Sequence, residues 1–346
     1  MTVIWFTLIL LCLLIYVVLD GYDLGIGIAT LAERNPRHRR EMLELVAVAW
    51  DGNETWLVLL GVSLWAGFPL AYGTILPHAF LPVIVMLFGL IVRGVSVEMA
   101  SQRPPAPGWE KAFGVGSLVA ALAQGVAVST LASSLTIRGG AYHGSAFGAL
   151  SWYSVLTALA VAAGYLALGY AYAKWKSTGE LRTKAGRRGI AAAAAAVVLG
   201  AACLGAVNAT AAPLQLASPV RVGGFAWLMA FAATGVAMAA VTLRPASRFD
   251  ALPFYGLAIA AVATFLAVVT ARYPVLVPPS LTLGAAVSPD RSMEFLAVGI
   301  GLDVPLILFY TWYAHYAFRG KNRGVPQPPE APEDSYAEPV GASDDH

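Results

Sequence analysis

Long apolar segments separated by short polar ones dominate the chain from residue 3 to residue 318. Each is close to the length of about 20 residues that a helix needs to cross the hydrocarbon core of a bilayer. The pattern predicts an all-α, polytopic membrane protein with nine transmembrane helices, arranged as two four-helix bundles plus one peripheral helix. The predicted spans are 3–31, 49–73, 78–100, 112–136, 149–173, 188–212, 223–243, 252–272 and 295–318.

The basic residues predict the orientation of these helices. Seventeen of the 22 Lys and Arg residues lie in alternate loops and in the C-terminal tail, whereas the other loops hold four. Loops rich in Lys and Arg face the cytoplasm. The N-terminus is therefore predicted outside and the C-terminus in the cytoplasm. Because the basic residues follow the topology, the net charge of +2 gives no indication of nucleic-acid binding.

The composition predicts one membrane domain followed by a tail. Hydrophobic residues make up 58% of the chain, charged residues 12%, and the mean hydropathy is +0.68. Residues 1–321 are predicted to form a single transmembrane domain. Residues 322–346 are rich in proline and acidic residues, a composition that favours a disordered cytoplasmic tail.

Six charged residues lie within or at the ends of the first three predicted spans. A charge at the centre of a bilayer costs on the order of 3 kcal/mol or more, so such residues mark proton relays, ion paths or buried pairs. By their depth along the helices, all six converge on the inner half of the membrane. They are Asp20, Asp23, Asp51, Glu54, Arg93 and Glu98.

This convergence favours a proton pathway from the cytoplasm. Asp20 and Asp23 are three residues apart and share a helix face, as do Asp51 and Glu54. Arg93 keeps its charge and would pair with the neighbouring carboxylates. The same residues also fit a static cluster of ion pairs, with Asp51 and Asn53 capping the second span. Asp303, in the last span, is an additional polar candidate.

Neither a haem nor a metal site is predicted in this chain. Of the five histidines, only His78 and His315 touch a span, and both lie at its edge, so His315 is interpreted as an interfacial polar residue. A haem inside a helical bundle needs ligands on facing helices. Cys12 and Cys203 lie within spans and are interpreted as small apolar residues.

Several motifs resemble subunit II of cytochrome bd quinol oxidase, over about residues 5–321. The motif at the second span is closest to the cyanide-insensitive branch of that family. The similar segments are Asp20-Gly-Tyr-Asp-Leu-Gly-Ile-Gly, Trp50-Asp-Gly-Asn-Glu-Thr-Trp-Leu, Phe68-Pro-Leu-Ala-Tyr, Arg93-Gly-Val-Ser-Val-Glu and Phe309-Tyr-Thr-Trp-Tyr-Ala-His-Tyr-Ala-Phe-Arg-Gly-Lys.

The resemblance implies a haem-free subunit of a quinol:oxygen oxidoreductase in the bacterial cytoplasmic membrane. Its partner, subunit I, would carry haem b and haem d, oxidise quinol and reduce dioxygen to water. The resemblance further implies that Asp51 lines a proton path toward the partner. It also allows a bound structural quinone and a small single-helix accessory subunit.

Two other functions stay open at the level of sequence. A stand-alone proton-coupled transporter would show broken helices at matching positions of two halves. The Gly-rich segment of span 1 has no clear counterpart in span 5 or 6. A purely structural membrane subunit would use the same charges only to hold its helices together.

Overall fold

The computed structural model describes residues 1–102, 106–132, 135, 137–138, 141–145, 147–210, 212, 214, 216, 218–278 and 281–321. The predicted tail, 322–346, lies outside these residues. Twelve helices make up most of the described chain. They are α1 (Thr2–Ala32), α2 (Pro36–Val46), α3 (Trp50–Gly67), α4 (Pro69–His78), α5 (Phe80–Gln102), α6 (Pro107–Ser129), α7 (Trp152–Lys176), α8 (Gly179–Ala206), α9 (Pro219–Thr242), α10 (Leu252–Arg272), α11 (Leu283–Ala286) and α12 (Asp290–Ala317).

In the described chain, eight of these helices are long and apolar enough to cross a membrane, and α2 with α3, bent by 50°, can form a ninth span. Helix α1 packs against α3, α6 and α7, and α5 packs on α6. Helix α7 also contacts α8 and α10, and α9 pairs with α10. Helix α12 lies at the edge against α3, with little of its surface buried. The predicted all-α, polytopic fold is therefore confirmed.

The second predicted span is not one helix. The interval 49–73 breaks at Phe68, whose backbone leaves the helical region (φ −135°, ψ 64°) between α3 and α4. Pro69 follows directly, and a proline disfavours helical geometry in the residue before it. The resulting α3 is 18 residues long. The prediction of a continuous helix over 49–73 was wrong for this reason.

A glycine pair sets the packing of α1 on α7. A Cβ atom on Gly25 would lie 1.7 Å from the carbonyl oxygen of Tyr165, and one on Gly169 would lie 2.3 Å from the carbonyl carbon of Gly25. The two backbones are in direct contact here, as small residues allow between membrane helices. This contact fixes the half of α1 that carries the aspartates.

The two ends of the bundle differ. We call the end that includes the α1–α2, α7–α8 and α9–α10 connections and the end of α12 the basic side, because the predicted Lys- and Arg-rich loops lie there. The opposite end is capped by short hairpins and α11. The strands of the hairpins are β1 (Ile137–Arg138) with β2 (Ala141–Tyr142) and β3 (Val275–Val277) with β4 (Leu281–Thr282).

Candidate functional site

Arg93 lies at the centre of a buried group of carboxyl side chains. Its side chain is fully buried, and its Nη1 lies 2.8 Å from Asp20 Oδ1. Its Nη2 donates a hydrogen bond to Glu54 Oε1. Asp23 is fully buried within electrostatic reach of the same guanidinium. We call Arg93, Asp20, Glu54 and Asp23 the carboxyl cluster.

The backbone of α5 is held so that Arg93 points into the bundle. A Cβ atom on Gly116 of α6 would lie 2.8 Å from the backbone nitrogen of Arg93, so only glycine permits this approach. On the other side, the Trp50 ring lies 5.8 Å from the guanidinium carbon. An aromatic face at this distance attracts a cation. Helix packing and Trp50 together fix the position of the charge.

A chain of hydrogen bonds leads from the carboxyl cluster to the end of α12. Asn53 Nδ2 donates to Asp23 Oδ2 (2.7 Å) and to the Tyr22 hydroxyl (3.1 Å). The Tyr22 hydroxyl lies 3.3 Å from His315 Nε2, and His315 Nδ1 lies 2.8 Å from the Thr311 carbonyl oxygen. Three helices, α1, α3 and α12, thus contribute to one polar chain.

A second polar chain lies nearly two turns earlier on α1, at Tyr16. Gln124 Nε2 donates to the Tyr16 hydroxyl, and the Tyr165 hydroxyl donates to Gln124 Oε1, both over 2.7 Å. All three side chains are buried. Polar side chains such as this glutamine form hydrogen bonds between membrane helices, here between α6, α1 and α7.

Three of the predicted site residues lie outside the carboxyl cluster. Asp51 is exposed at the start of α3, and its Oδ1 accepts the N–H of Gly52 (2.7 Å). Glu98 is exposed and accepts a hydrogen bond from Gln102, so the predicted convergence with Arg93 fails for this residue. Asp303 is exposed on α12. The cluster therefore contains Asp20, Asp23, Glu54 and Arg93 of the six charges.

Sequence reasoning missed three polar residues of this site, namely Asn53, Tyr22 and His315. The capping interpretation of Asn53 was wrong, since α3 has no side-chain cap and Asn53 bonds to α1 instead. Tyr22 lies between Asp20 and Asp23 in sequence and is 1% exposed. A tyrosine hydroxyl buried among apolar helices needs a partner, which is the signal that was present.

Charges at the basic side form a separate group, the cation cluster, which consists of Asp250, Lys174, Arg182 and Lys321. Asp250 receives Nζ of Lys174 at 2.7 Å, both Nε and Nη2 of Arg182, and Nζ of Lys321 at 2.6 Å. Burial by itself would raise the pKa of Asp250, but the hydrogen bonds from these cations hold that pKa below its ordinary value. This carboxylate stays ionised and ties α7 and α8 to the segment that follows α12.

Glu33, just after α1, is held in the same way. Lys184 Nζ lies 2.7 Å from its Oε1 and Arg188 Nη1 lies 3.0 Å from its Oε2. Burial opposes ionisation, yet the hydrogen bonds from Lys184 and from the backbone of Asn35 lower the pKa of Glu33. Both cations lie on α8, so this carboxylate joins α8 to the end of α1.

The two histidines that touch a predicted span, His78 and His315, are not placed as a pair of haem ligands. His78 shares a hydrogen bond with Tyr142 (2.9 Å) near the opposite side, whereas His315 lies at the basic side. Two such residues at opposite ends of the bundle cannot ligate one haem as a pair. In the part of the chain that the structure describes, no group of three or more His, Cys, Asp or Glu side chains is placed to hold a metal ion.

Comparisons with known proteins identify the family of this chain. Residues 1–318 match the family described as cytochrome bd terminal oxidase subunit II. The chain is 27% identical to cytochrome bd-I ubiquinol oxidase subunit 2 of Escherichia coli K12, over 92% of this chain and 94% of that protein. It is 27% identical to cytochrome bd ubiquinol oxidase subunit 2 of Bacillus subtilis 168, over 52% of this chain and 55% of that protein.

The fold is also similar to that of a solved protein. A chain in the structure of bd oxidase from Geobacillus thermodenitrificans superposes with a TM-score of 0.74 and 17% identity, covering 92% of this chain and 98% of that chain. The family match extends over nearly all of the described helices, including those that build the carboxyl cluster. This chain belongs to the family of cytochrome bd terminal oxidase subunit II.

Proposed function

We propose that this chain works as the haem-free subunit of a bd-type oxidase, paired with a subunit I that carries haem b and haem d. Together they would oxidise quinol and reduce dioxygen to water in the bacterial cytoplasmic membrane, with the basic side in the cytoplasm. Family membership and the separation of His78 from His315 support this division of labour. A structural quinone and a single-helix accessory subunit are further proposals from the family resemblance.

Within this complex we assign the carboxyl cluster to proton conduction. Reduction of dioxygen to water consumes protons, which must reach the partner from water. The observation that supports this role is the excess of carboxyl groups over cations, with Asp20, Asp23 and Glu54 around Arg93 alone. A net negative charge is costly in a low-dielectric interior, so the cluster is stabilised when it carries a proton.

We infer a direction for this conduction from the exposure of the carboxyl groups. Asp20 is buried against Arg93, whereas the Glu54 side chain is 26% exposed and Asp51, three residues earlier, is exposed on α3. Glu54 thus links the closed interior to the surface that α3 presents. We propose that protons leave the cluster through Glu54 and Asp51 toward subunit I. Glu98 and Asp303 have no part in this route.

Glu54→Gln in the assembled complex tests the proposal. Glutamine is nearly isosteric and still accepts a hydrogen bond from Arg93, so the fold should persist while the exchangeable carboxyl group is lost. We expect oxygen uptake with quinol to fall by about a hundredfold, in the range that proton-transfer groups contribute. Asp51→Asn should fall in the same direction, with the haem spectrum of the complex unchanged in both variants.

Glu98→Gln is the matched control, because Glu98 is an exposed glutamate near the same end of the neighbouring helix. Its turnover should equal that of the unaltered complex. Full turnover in fully assembled Glu54→Gln would refute the conduction role. A fall in the amount of complex with unchanged turnover per haem would instead assign these charges to assembly alone. The stand-alone transporter gains no support from the family match.

A further inference from the structure

The polar chain between His315 and Asp23 runs from a half-buried side chain to a closed interior. His315 lies in the last turn of α12 at the basic side and is partly exposed. Tyr22 is 1% exposed, stacked on Tyr172 at 4.0 Å and packed edge-on against Phe254. Water therefore has access to the histidine ring but not to the tyrosine hydroxyl behind it.

The partners of His315 define which of its nitrogens carries a proton. The Thr311 carbonyl oxygen can only accept, so Nδ1 carries hydrogen and donates to it. In the neutral ring Nε2 is then an acceptor, and the Tyr22 hydroxyl donates to it over 3.3 Å. Nε2 is thus the nitrogen that takes up a further proton.

Protonation of Nε2 reverses the hydrogen bond to Tyr22. The imidazolium ring now donates to the Tyr22 oxygen, so the hydroxyl hydrogen must turn to another acceptor. Asn53 Nδ2 bonds both to this oxygen and to Asp23 Oδ2, which places the Asp23 carboxylate beside the hydroxyl. Asp23 Oδ1 is buried and has no hydrogen-bond partner among the described residues. The Tyr172 hydroxyl is a second neighbour of the Tyr22 hydroxyl. Of the two groups, only the Asp23 carboxylate becomes neutral by taking up the proton, so we take Asp23 as the acceptor.

We propose that His315 takes up protons at the basic side and passes them to the carboxyl cluster through Tyr22. His315 Nε2 gives its proton to the Tyr22 oxygen while Tyr22 gives its hydroxyl proton to the Asp23 carboxylate, directly or through one water molecule. The ring returns to its neutral form and Asp23 becomes neutral, so charge and protons balance. Asn53 is the positioning residue, since an amide holds both oxygens without relaying the proton itself.

The surroundings of His315 are compatible with repeated uptake of charge. Tyr22 of α1 contacts the ring, and Asn53 of α3 connects the Tyr22 hydroxyl to Asp23 behind it. Lys176 of α7 is a cation at this end of α12, since its Nζ donates to the Phe318 carbonyl oxygen (3.1 Å), and Arg319 and Lys321 follow α12 in the chain. The carbonyl groups that end α12 favour a cation at His315.

This inference rests on the proposed conduction role of the carboxyl cluster and adds the group that supplies it. The test uses the assembled oxidase and three variants: His315→Gln, His315→Ala and Tyr22→Phe. Glutamine keeps a hydrogen bond to Tyr22 but cannot carry the proton, so folding and transfer are separated. We expect quinol-driven oxygen uptake to fall at least about tenfold in each variant with an unchanged haem spectrum.

Added imidazole gives a readout that a packing role would not move. His315→Ala leaves space for a free imidazole ring at the bundle edge. Addition of tens of millimolar imidazole should raise the oxygen uptake of this variant several-fold. The same imidazole should not accelerate Tyr22→Phe, Asp23→Asn or the unaltered complex. His143→Ala, an exposed histidine at the opposite side, should keep full turnover.

The outcomes separate the two proposals. Full turnover in His315→Gln, or a loss in His315→Ala that imidazole does not restore, overturns the uptake role of His315. If Glu54→Gln is slow in the same preparations, conduction through the carboxyl cluster survives that result. If Glu54→Gln is also fully active, both proposals fail together.

Discussion

The carboxyl cluster and the cation cluster are built from the same kinds of ion pair with opposite excess charge. In the first, Arg93 is the one cation among several carboxyl groups, deep between helices. In the second, Asp250 is the one carboxylate among several cations, at the basic side. Binding a proton reduces the excess negative charge of the carboxyl cluster and is therefore favourable. In the cation cluster it would neutralise the one carboxylate and is therefore unfavourable.

On the proposed conduction role, this difference separates the residues that would move protons from those that hold helices together. A carboxylate surrounded by cations keeps its charge at all working pH values and serves as a permanent tie between elements. One guanidinium cannot neutralise three carboxylates. At least one of the carboxyl groups can therefore gain or lose a proton during turnover. Counting charges in each cluster, more than counting ion pairs, therefore distinguishes the two roles.

Removing the cation of the carboxyl cluster should have the largest effect. Arg93→Met leaves Asp20 and Glu54 buried without their partner, a change that costs about 3–5 kcal/mol in other proteins. We expect little assembled complex and a strongly lowered unfolding temperature in detergent. Arg93→Lys keeps the charge but not the two-pronged geometry, so it should assemble better than Arg93→Met and less well than the unaltered chain. Normal assembly of Arg93→Met would show that pairing does not hold this region.

Sequence reasoning located most of the carboxyl cluster because depth and helical spacing are local properties. Asp20 and Arg93 lie at matching depths of α1 and α5, and both proved to be in contact. Glu98 failed for a geometrical reason: five residues after Arg93, it points about 140° away around the helix. The prediction used the position of Glu98 along the helix and did not use its rotation around the helix axis.

The histidine chain was beyond sequence reasoning for a different reason. Tyr22 and His315 are 293 residues apart, and their contact depends on how α12 lies against the bundle. Helix α12 is apolar and exposed on most sides, so its sequence does not define which face meets α3. The helix break at Phe68 could be predicted from Pro69, because it is a local effect. The contact of Asn53 with α1 could not, because it depends on how the helices pack.

Asp250→Asn should sharpen the comparison through a smaller, purely structural effect. It leaves the fully buried Lys174 without a carboxylate, at a cost of about 3 kcal/mol. We expect a lower unfolding temperature of the complex and unchanged oxygen uptake per assembled complex. Slow turnover in stable, assembled Asp250→Asn would contradict the assignment of this cluster to structure alone.

The pH dependence of stability gives a second measure of the same residue. Because the folded-state pKa of Asp250 is below its ordinary value, its stabilisation is fully present above about pH 4 and is lost as pH falls through the folded-state pKa. Acidification below about pH 4 should therefore destabilise the unaltered complex more than Asp250→Asn. The difference in unfolding temperature between the two, followed from pH 7 to pH 3, should shrink.

Lys321→Ala should have the smallest effect, although Lys321 binds the same carboxylate at 2.6 Å. Its side chain is 40% exposed, and exposed ion pairs contribute at most about 1 kcal/mol. We expect a slight drop in unfolding temperature that disappears when salt is raised, since screening weakens exposed pairs first. Asp250→Asn should keep most of its deficit at high salt. An equal drop in unfolding temperature in Lys321→Ala and Asp250→Asn would show that the ion pair of Lys321, and not that of the buried Lys174, supplies most of the stability of the cation cluster.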